Sequence, residues 1–372
     1  MENYVKTRAT RWSALAVTIS LALAACGGSD SADAPASEPA ADAPMLSGTL
    51  IGAGSSAQKA AMQAWQAGFQ NANPDVTVEY DPIGSGGGRE QFLAGGTTFA
   101  GSDAYLKDEE WTSSMDRCAG DMGAINLPMY ISPIAVAYNL PGVDELRLST
   151  AVLAGIFAGT VTSWTDAAIA ADNPGVTLPD LPINPVHRSD ESGTSKNFTE
   201  YLSAVEPDIW TYGKLEIWPE VGGEGAQGTS GVVAAIAAGE GSIGYADASQ
   251  IGSLGSAVVQ VGDNWTAYSP EAAAKSVDAS NRIEGRSDYD FGFSLNRTTT
   301  EAGVYPITLV SYHIVCLQYE TQAEVDLVKA FEHFVASAEG QTMAAEFAGS
   351  APLSAELQAQ IADAIDQISV AG

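Results

Sequence analysis

Twice within residues 48 to 95 a strand-like stretch runs into a glycine-rich turn and then into a helical pattern. In "GTLIGAGSSAQKAAMQAWQAGFQ" the apolar Leu50 and Ile51 lead through "GAGSSA" to Ala61, Met62, Trp65 and Phe69, spaced three and four apart as on one helix face. "NANP" closes that helix, "VTVEY" alternates as a half-buried strand, and "IGSGGG" forms a second glycine turn ahead of a helix beginning "REQFLAG". A chain that passes from strand to helix twice in quick succession is committed to α/β architecture. The same wiring carries chemistry. Backbone N–H groups at a helix start point outward, and the helix dipole favours an anion in front of them.

The N-terminus decides the compartment. Lys6, Arg8 and Arg11 precede the apolar "WSALAVTISLALAA", and "LAAC" ends at Cys26. Residues 1–25 therefore read as an export signal, since 14 apolar residues are too few for a spanning helix of about 20. Small residues before a cysteine resemble the bacterial lipobox, in which Cys26 becomes lipid-modified. Residues 26–46 are mostly Gly, Ser, Ala, Pro and acids and read as a disordered tether. Residues 47–372 are long enough for two lobes.

The chain carries a formal net charge of -30. Such a field repels polyanions, so nucleic acid is not an expected partner. An anion site must be built locally, from dipoles and a few cations. Beyond Cys26 only Cys118 and Cys316 remain. An even pair in an oxidising compartment points to a disulfide, with two buried free thiols as the alternative.

Other chemistries fit less well. "GAGSSA" satisfies G-x-G-x-x-A, and Glu79 and Asp81 stand near where a ribose-binding acid belongs. An exported chain has little access to NAD, however, and the Ser/Gly pattern recurs where a single dinucleotide crevice would not use it. The P-loop pattern G-x-x-x-x-G-K-[ST] is absent, and Ser192 in "SDESG" lacks the leading glycine of a nucleophile elbow. His187, His313 and His333 show no metal-ligand spacing. No catalytic residue, metal or cofactor is expected.

The stretch "HRSDESGTSKNF" sets Arg188 ahead of Asp190, Ser192, Gly193 and Thr194. Together with "GAGSSA", "IGSGGGREQFLAG", "GSDAYL" and "GSIGYAD", in that order and at about those spacings, it resembles the phosphate-binding lipoproteins of the bacterial high-affinity phosphate ABC transporter. The resemblance covers nearly all of residues 47–372. It implies a two-lobed periplasmic-binding-protein fold of type II-like α/β architecture. Residues 47–139 and 307–372 would form one lobe and 140–306 the other, with crossings near Asn139 and Pro306. Cys118 and Cys316 would then lie in the two segments of one lobe.

By motif position the resemblance implies that phosphate meets Ser56, the Ala57 N–H, Ser85, Asp103, Arg188, Ser192, Gly193 and Thr194, with Asp190 orienting Arg188. The family commonly has glycine where Glu191 stands and an aromatic where Lys196 stands. Lys196 is expected to offset the Glu191 charge. The implied partners are inorganic phosphate, ABC transporter permease subunits and the membrane, through the lipid anchor on its outer face. The protein itself would be a monomer and not an enzyme. A binding protein for sulfate, molybdate or tungstate is the alternative.

Overall fold

The computed structural model describes residues 46–283 and 286–372. The expected export signal, Cys26 and the tether up to position 45 lie outside the described residues. The first α/β alternation runs β1 (Gly48–Gly54), α1 (Lys59–Ala72), β2 (Val76–Asp81), α2 (Ser85–Leu93) and β3 (Phe99–Ser102). Helix α1 buries Ala61, Met62, Trp65 and Phe69, as their spacing predicts.

The second glycine turn differs from expectation. Helix α2 starts at Ser85, so Gly86, Gly87 and Gly88 form its first turn and not a loop before it. Close approach explains the glycines: a Cβ on Gly88 would stand 2.3 Å from Gly54 Cα, and one on Gly86 would stand 2.6 Å from the Glu191 side chain.

The chain continues through α3 (Asp108–Arg117), β4 (Ala124–Tyr138), α4 (Thr150–Phe157), β5 (Asn184–Arg188), α5 (Gly193–Val205), β6 (Glu224–Ala226), α6 (Gly228–Ala238) and β7 (Ser242–Asp247). Then come α7 (Pro270–Asp278), β8 (Thr308–Cys316), α8 (Gln322–Ala336), α9 (Ala338–Ala348) and α10 (Ala355–Asp366). The main sheet has the order β2-β1-β3-β8-β4-β7-β5-β6, and the short strand Gly255–Ser256 joins the end of β4.

β1 runs parallel to β2 and β3, and β5 runs parallel to β6 and β7. The antiparallel pair β4 and β8 joins these two parallel halves. β4 is buried along all 15 residues. It pairs with β8 as far as Pro133 and with β7 from Ile134 onward, so one strand serves both halves.

Two large apolar clusters form on either side of that junction. One holds Trp65, Phe92, Phe99, Val328 and Phe331, and the other Phe157, Trp164, Phe198, Trp210 and Tyr245. Helix α7 stands between them, giving Ala272 to the second cluster and Ala273 and Val277 to the first. Cys118, just after α3, and Cys316, at the end of β8, form a disulfide with Cα atoms 5.5 Å apart. No described helix is long and apolar enough to cross a membrane.

Candidate functional site

In a parallel sheet the loops that follow the carboxyl ends of the strands, where helices begin, gather on one side. Here four such loops meet: Gly54–Ala57 after β1, Ile83–Ser85 after β2, Arg188–Thr194 after β5, and Gln227–Thr229 after β6. Their contact is tight. A Cβ on Gly84 (φ 103°) would lie 2.3 Å from Asp190 Oδ2, and one on Gly193 would lie 2.8 Å from both Ser85 Oγ and Asp103 Cβ. The Thr229 N–H donates to Ser56 Oγ at 3.0 Å, linking a loop of the first half to one of the second.

Asp103, just past β3, is at the centre and 8% exposed. Three hydroxyls donate to its carboxylate: Ser55 at 2.5 Å, Ser311 at 2.7 Å and Thr194 at 2.8 Å. Its own N–H donates to Ser85 Oγ at 3.1 Å. A carboxylate surrounded by donors, with no guanidinium or ammonium bonded to it among the described residues, is arranged to accept a proton-bearing group.

Arg188 ends β5 and is 2% exposed. Its Nε donates to Asp190 Oδ1 at 2.8 Å and its Nη2 to Oδ2, leaving Nη1 directed at Thr194 Oγ1 at 3.4 Å. Burial alone would push the Asp190 carboxyl up. Hydrogen bonds and charge from Arg188, with the Gly228 N–H, more than reverse this and hold it below its ordinary value. The fork is thereby fixed in orientation while one edge stays available. Tyr245, from the "GSIGYAD" motif, accepts the Arg188 N–H at 3.2 Å. Burial pushes the carboxyl of Asp247, two residues on, up to about 6 against hydrogen bonds from Ser249 and Tyr130.

All eight expected contact residues are drawn into this one buried region. Two of them engage in ways the motifs do not reveal. Ser192 Oγ caps α5 by accepting the Ser195 N–H, and the Ala57 N–H donates to Ser55 Oγ. Ser55, Thr229 and Ser311 were not singled out from sequence. Thr229 had a visible signal, because "GTSG" repeats the glycine-hydroxyl helix start. Ser311 had a weaker one, as one of three hydroxyl-bearing residues within the buried run "TLVSYHIV".

Glu191 lies at the edge of the site. Its carbonyl accepts the Gly86 N–H at 3.1 Å, and its carboxylate is 3.2 Å from Lys107 and 3.5 Å from Arg89. These cations, and not Lys196, provide the expected offset. The Lys196 ammonium sits 4.9 Å from the centre of the Tyr105 ring, and burial lowers its pKa.

The fold and the site together define a small-ligand binding protein built on a curled α/β sheet. The chain belongs to the PBP superfamily, whose domain matches residues 34–339, and within it to the family of the PstS phosphate-binding proteins. Phosphate-binding protein PstS 2 of Mycobacterium tuberculosis (strain ATCC 25618 / H37Rv) is 34% identical over 357 residues, covering 94% of this chain and 95% of that one. Phosphate-binding protein PstS 3 of Mycobacterium leprae (strain TN) is 37% identical over 290 residues, covering 76% and 77%. Among solved structures, a high affinity periplasmic phosphate-binding protein (PfluDING) bound with phosphate matches with a TM-score of 0.67 at 22% identity, covering 84% of this chain and 92% of that one. The phosphate binding protein of Stenotrophomonas maltophilia matches at 0.64 and 18% identity, covering 85% and 94%. At these identities the structural likenesses establish the fold.

Proposed function

We propose that this protein binds inorganic phosphate outside the cytoplasm, as hydrogen or dihydrogen phosphate, and delivers it to the permease subunits of an ABC transporter. The observation that carries this reading is the buried Asp103 carboxylate held among hydroxyl donors, beside an Arg188 fork with one edge free. An anion that also brings a proton satisfies both groups at once. Arg188, the Ser56, Ser85 and Ser192 hydroxyls and the Gly193 N–H supply the donors, Thr194 lines the site while donating to Asp103, and the Ala57 N–H reaches the anion by leaving Ser55 Oγ. Asp190 positions Arg188. The arrangement calls for binding and release, so no catalytic step is assigned.

The ligand lies between two lobes, residues 47–139 with 307–372 and residues 140–306, crossing near Asn139 and Pro306. The two apolar clusters support this division over most of the chain, although Ala273, Val277 and Phe291 of residues 140–306 pack in the first cluster, and the end of β4 at Tyr138 and the start of β8 at Thr308 agree with the crossings. Isothermal titration of the purified protein with phosphate and with sulfate tests the reading. Arg188→Ala is expected to lose about 2 to 5 kcal/mol of phosphate binding, since the anion stays desolvated while its fork is gone. That is ~30-fold to several thousand-fold in Kd. Affinity within a factor of three of the unaltered protein would remove Arg188 from the site. Sulfate, molybdate or tungstate bound as tightly as phosphate would favour the wider oxyanion reading.

The same proposal places the protein as a monomer anchored by lipid on Cys26 to the outer face of the cell membrane, supported by "LAAC" after an export-signal pattern. Cys26→Ser is expected to move the protein from the membrane fraction to the soluble one. Retention of the variant in salt-washed membranes would sink the anchor assignment.

A further inference from the structure

Behind the anion site four charged side chains join the two proposed lobes. Arg89 is on α2, one turn after Ser85, and Lys107 immediately precedes α3, both within residues 47–139. Glu191 and Glu216 come from residues 140–306. Arg89 lies 2.9 Å from Glu216 and 3.5 Å from Glu191. Lys107 lies 2.5 Å from Glu216 and 3.2 Å from Glu191. Every one of these four pairs crosses from one lobe to the other.

We infer that Arg89, Lys107, Glu191 and Glu216 form an ionic latch that closes with the lobes around bound phosphate and sets how fast it is released. The inference rests on the phosphate reading above, because a latch needs a ligand to enclose.

Three observations favour a latch over a surface ion cluster. First, the pair at its heart is buried: the Arg89 side chain is 1% exposed and that of Glu216 6%. Exposed pairs contribute little, whereas removing one partner of a buried pair leaves the other charge desolvated and unpaired. Second, burial would push the Glu216 carboxyl up, yet the charges of Arg89 and Lys107 hold it below its ordinary value. Arg89 and Lys107, from the opposite lobe, thus lead in keeping it charged, with Lys196 of its own lobe adding to them. Third, the latch is wired into the binding loops. Arg89 Nη1 donates to Ser102 Oγ at 3.0 Å, next to Asp103, and the Glu216 carbonyl accepts the Ser192 N–H at 3.0 Å. Opening the lobes separates all four pairs: Arg89 keeps Glu110, 2.9 Å away on its own lobe, whereas Glu216 loses both Arg89 and Lys107. Closing aligns both ends with residues that meet the ligand.

A latch that forms after encounter acts on release and not on capture. Its four residues are positioning residues, and the test separates the two rates. Labelled phosphate is bound to the full-length protein and chased with excess unlabelled phosphate, and association is followed by stopped flow. Glu216→Gln, which keeps the shape and removes the charge, is expected to speed release about tenfold with association within twofold. Lys107→Gln, at a half-exposed position that folding tolerates, should speed release ~threefold, as expected for a more solvated pair. It decides the matter alone if Glu216→Gln does not fold.

Release within twofold of the unaltered protein in the folded variants overturns the latch. Faster release accompanied by slower association also overturns it, because that marks a damaged site. If the unaltered protein retains no labelled phosphate, the phosphate reading itself has failed, which is a different result from loss of the latch alone.

Discussion

The substitution Asp103→Asn is expected to collapse the preference for phosphate over sulfate by as much as ~10⁴-fold, mostly through weaker phosphate and partly through stronger sulfate binding. An ionised carboxylate has about four lone-pair sites and no donor. Three of them are taken by the hydroxyls of Ser55, Ser311 and Thr194. About one site remains, enough for a single O–H. Hydrogen phosphate and dihydrogen phosphate bring that O–H at neutral pH, whereas sulfate brings only oxygen and would set two dehydrated negative groups against each other. An asparagine amide in place of this carboxylate would present a donor instead of one acceptor, which sulfate can use and the phosphate O–H cannot. Competition titrations measure the ratio directly. An unchanged ratio would mean that Asp103 serves only as a hub for the three hydroxyls, and the assignment of a protonated oxyanion would have to be reopened.

The contacts around Asp103 and Arg188 are of unequal legibility in the sequence. The strand-turn-helix wiring that builds the site was readable because it is local: glycine turns, helical spacing and alternation are properties of ten or twenty consecutive residues. Arg188 and Asp190 were readable for the same reason, being two positions apart. The partners of Asp103 were not. Ser311 donates across 208 positions and Thr194 across 91, and neither has a sequence pattern that names its partner. Arg89 and Glu216, 127 apart, are equally silent in sequence.

One element ran against local rules altogether. β4 includes Pro128 and Pro133, which argue against a central strand, yet it is the strand both halves share. The register against β8 shifts between Ser311 and Tyr312, close to Pro128. A bulge there lets the strand pass a residue that cannot donate to the ladder. Burial on both faces outweighs the lost hydrogen bonds, and local propensity does not report that balance. The same shift lies at Ser311, so the irregularity that tolerates Pro128 falls where a hydroxyl is delivered to Asp103.

Breaking the Cys118–Cys316 disulfide is expected to cost about 5 kcal/mol of unfolding free energy, because the bridge closes a loop spanning 198 positions and the unfolded chain regains the entropy of that loop. At roughly 2 °C per kcal/mol for a chain of this size, the melting temperature of Cys118→Ala/Cys316→Ala should fall by ~10 °C. Phosphate affinity well below that melting temperature should hardly change. The bridge ties the end of α3 to the end of β8 inside the first apolar cluster, five positions beyond Ser311, and β8 is held over its whole length by pairing with β4. Ser311 therefore reaches Asp103 through sheet pairing and not through the covalent link. Urea unfolding of the oxidised protein and the double variant gives the free-energy difference, and a steeper denaturant dependence in the variant would report the larger surface its unfolded state exposes. A difference under about 1 kcal/mol would show that residual structure in the unfolded chain already holds these two segments together.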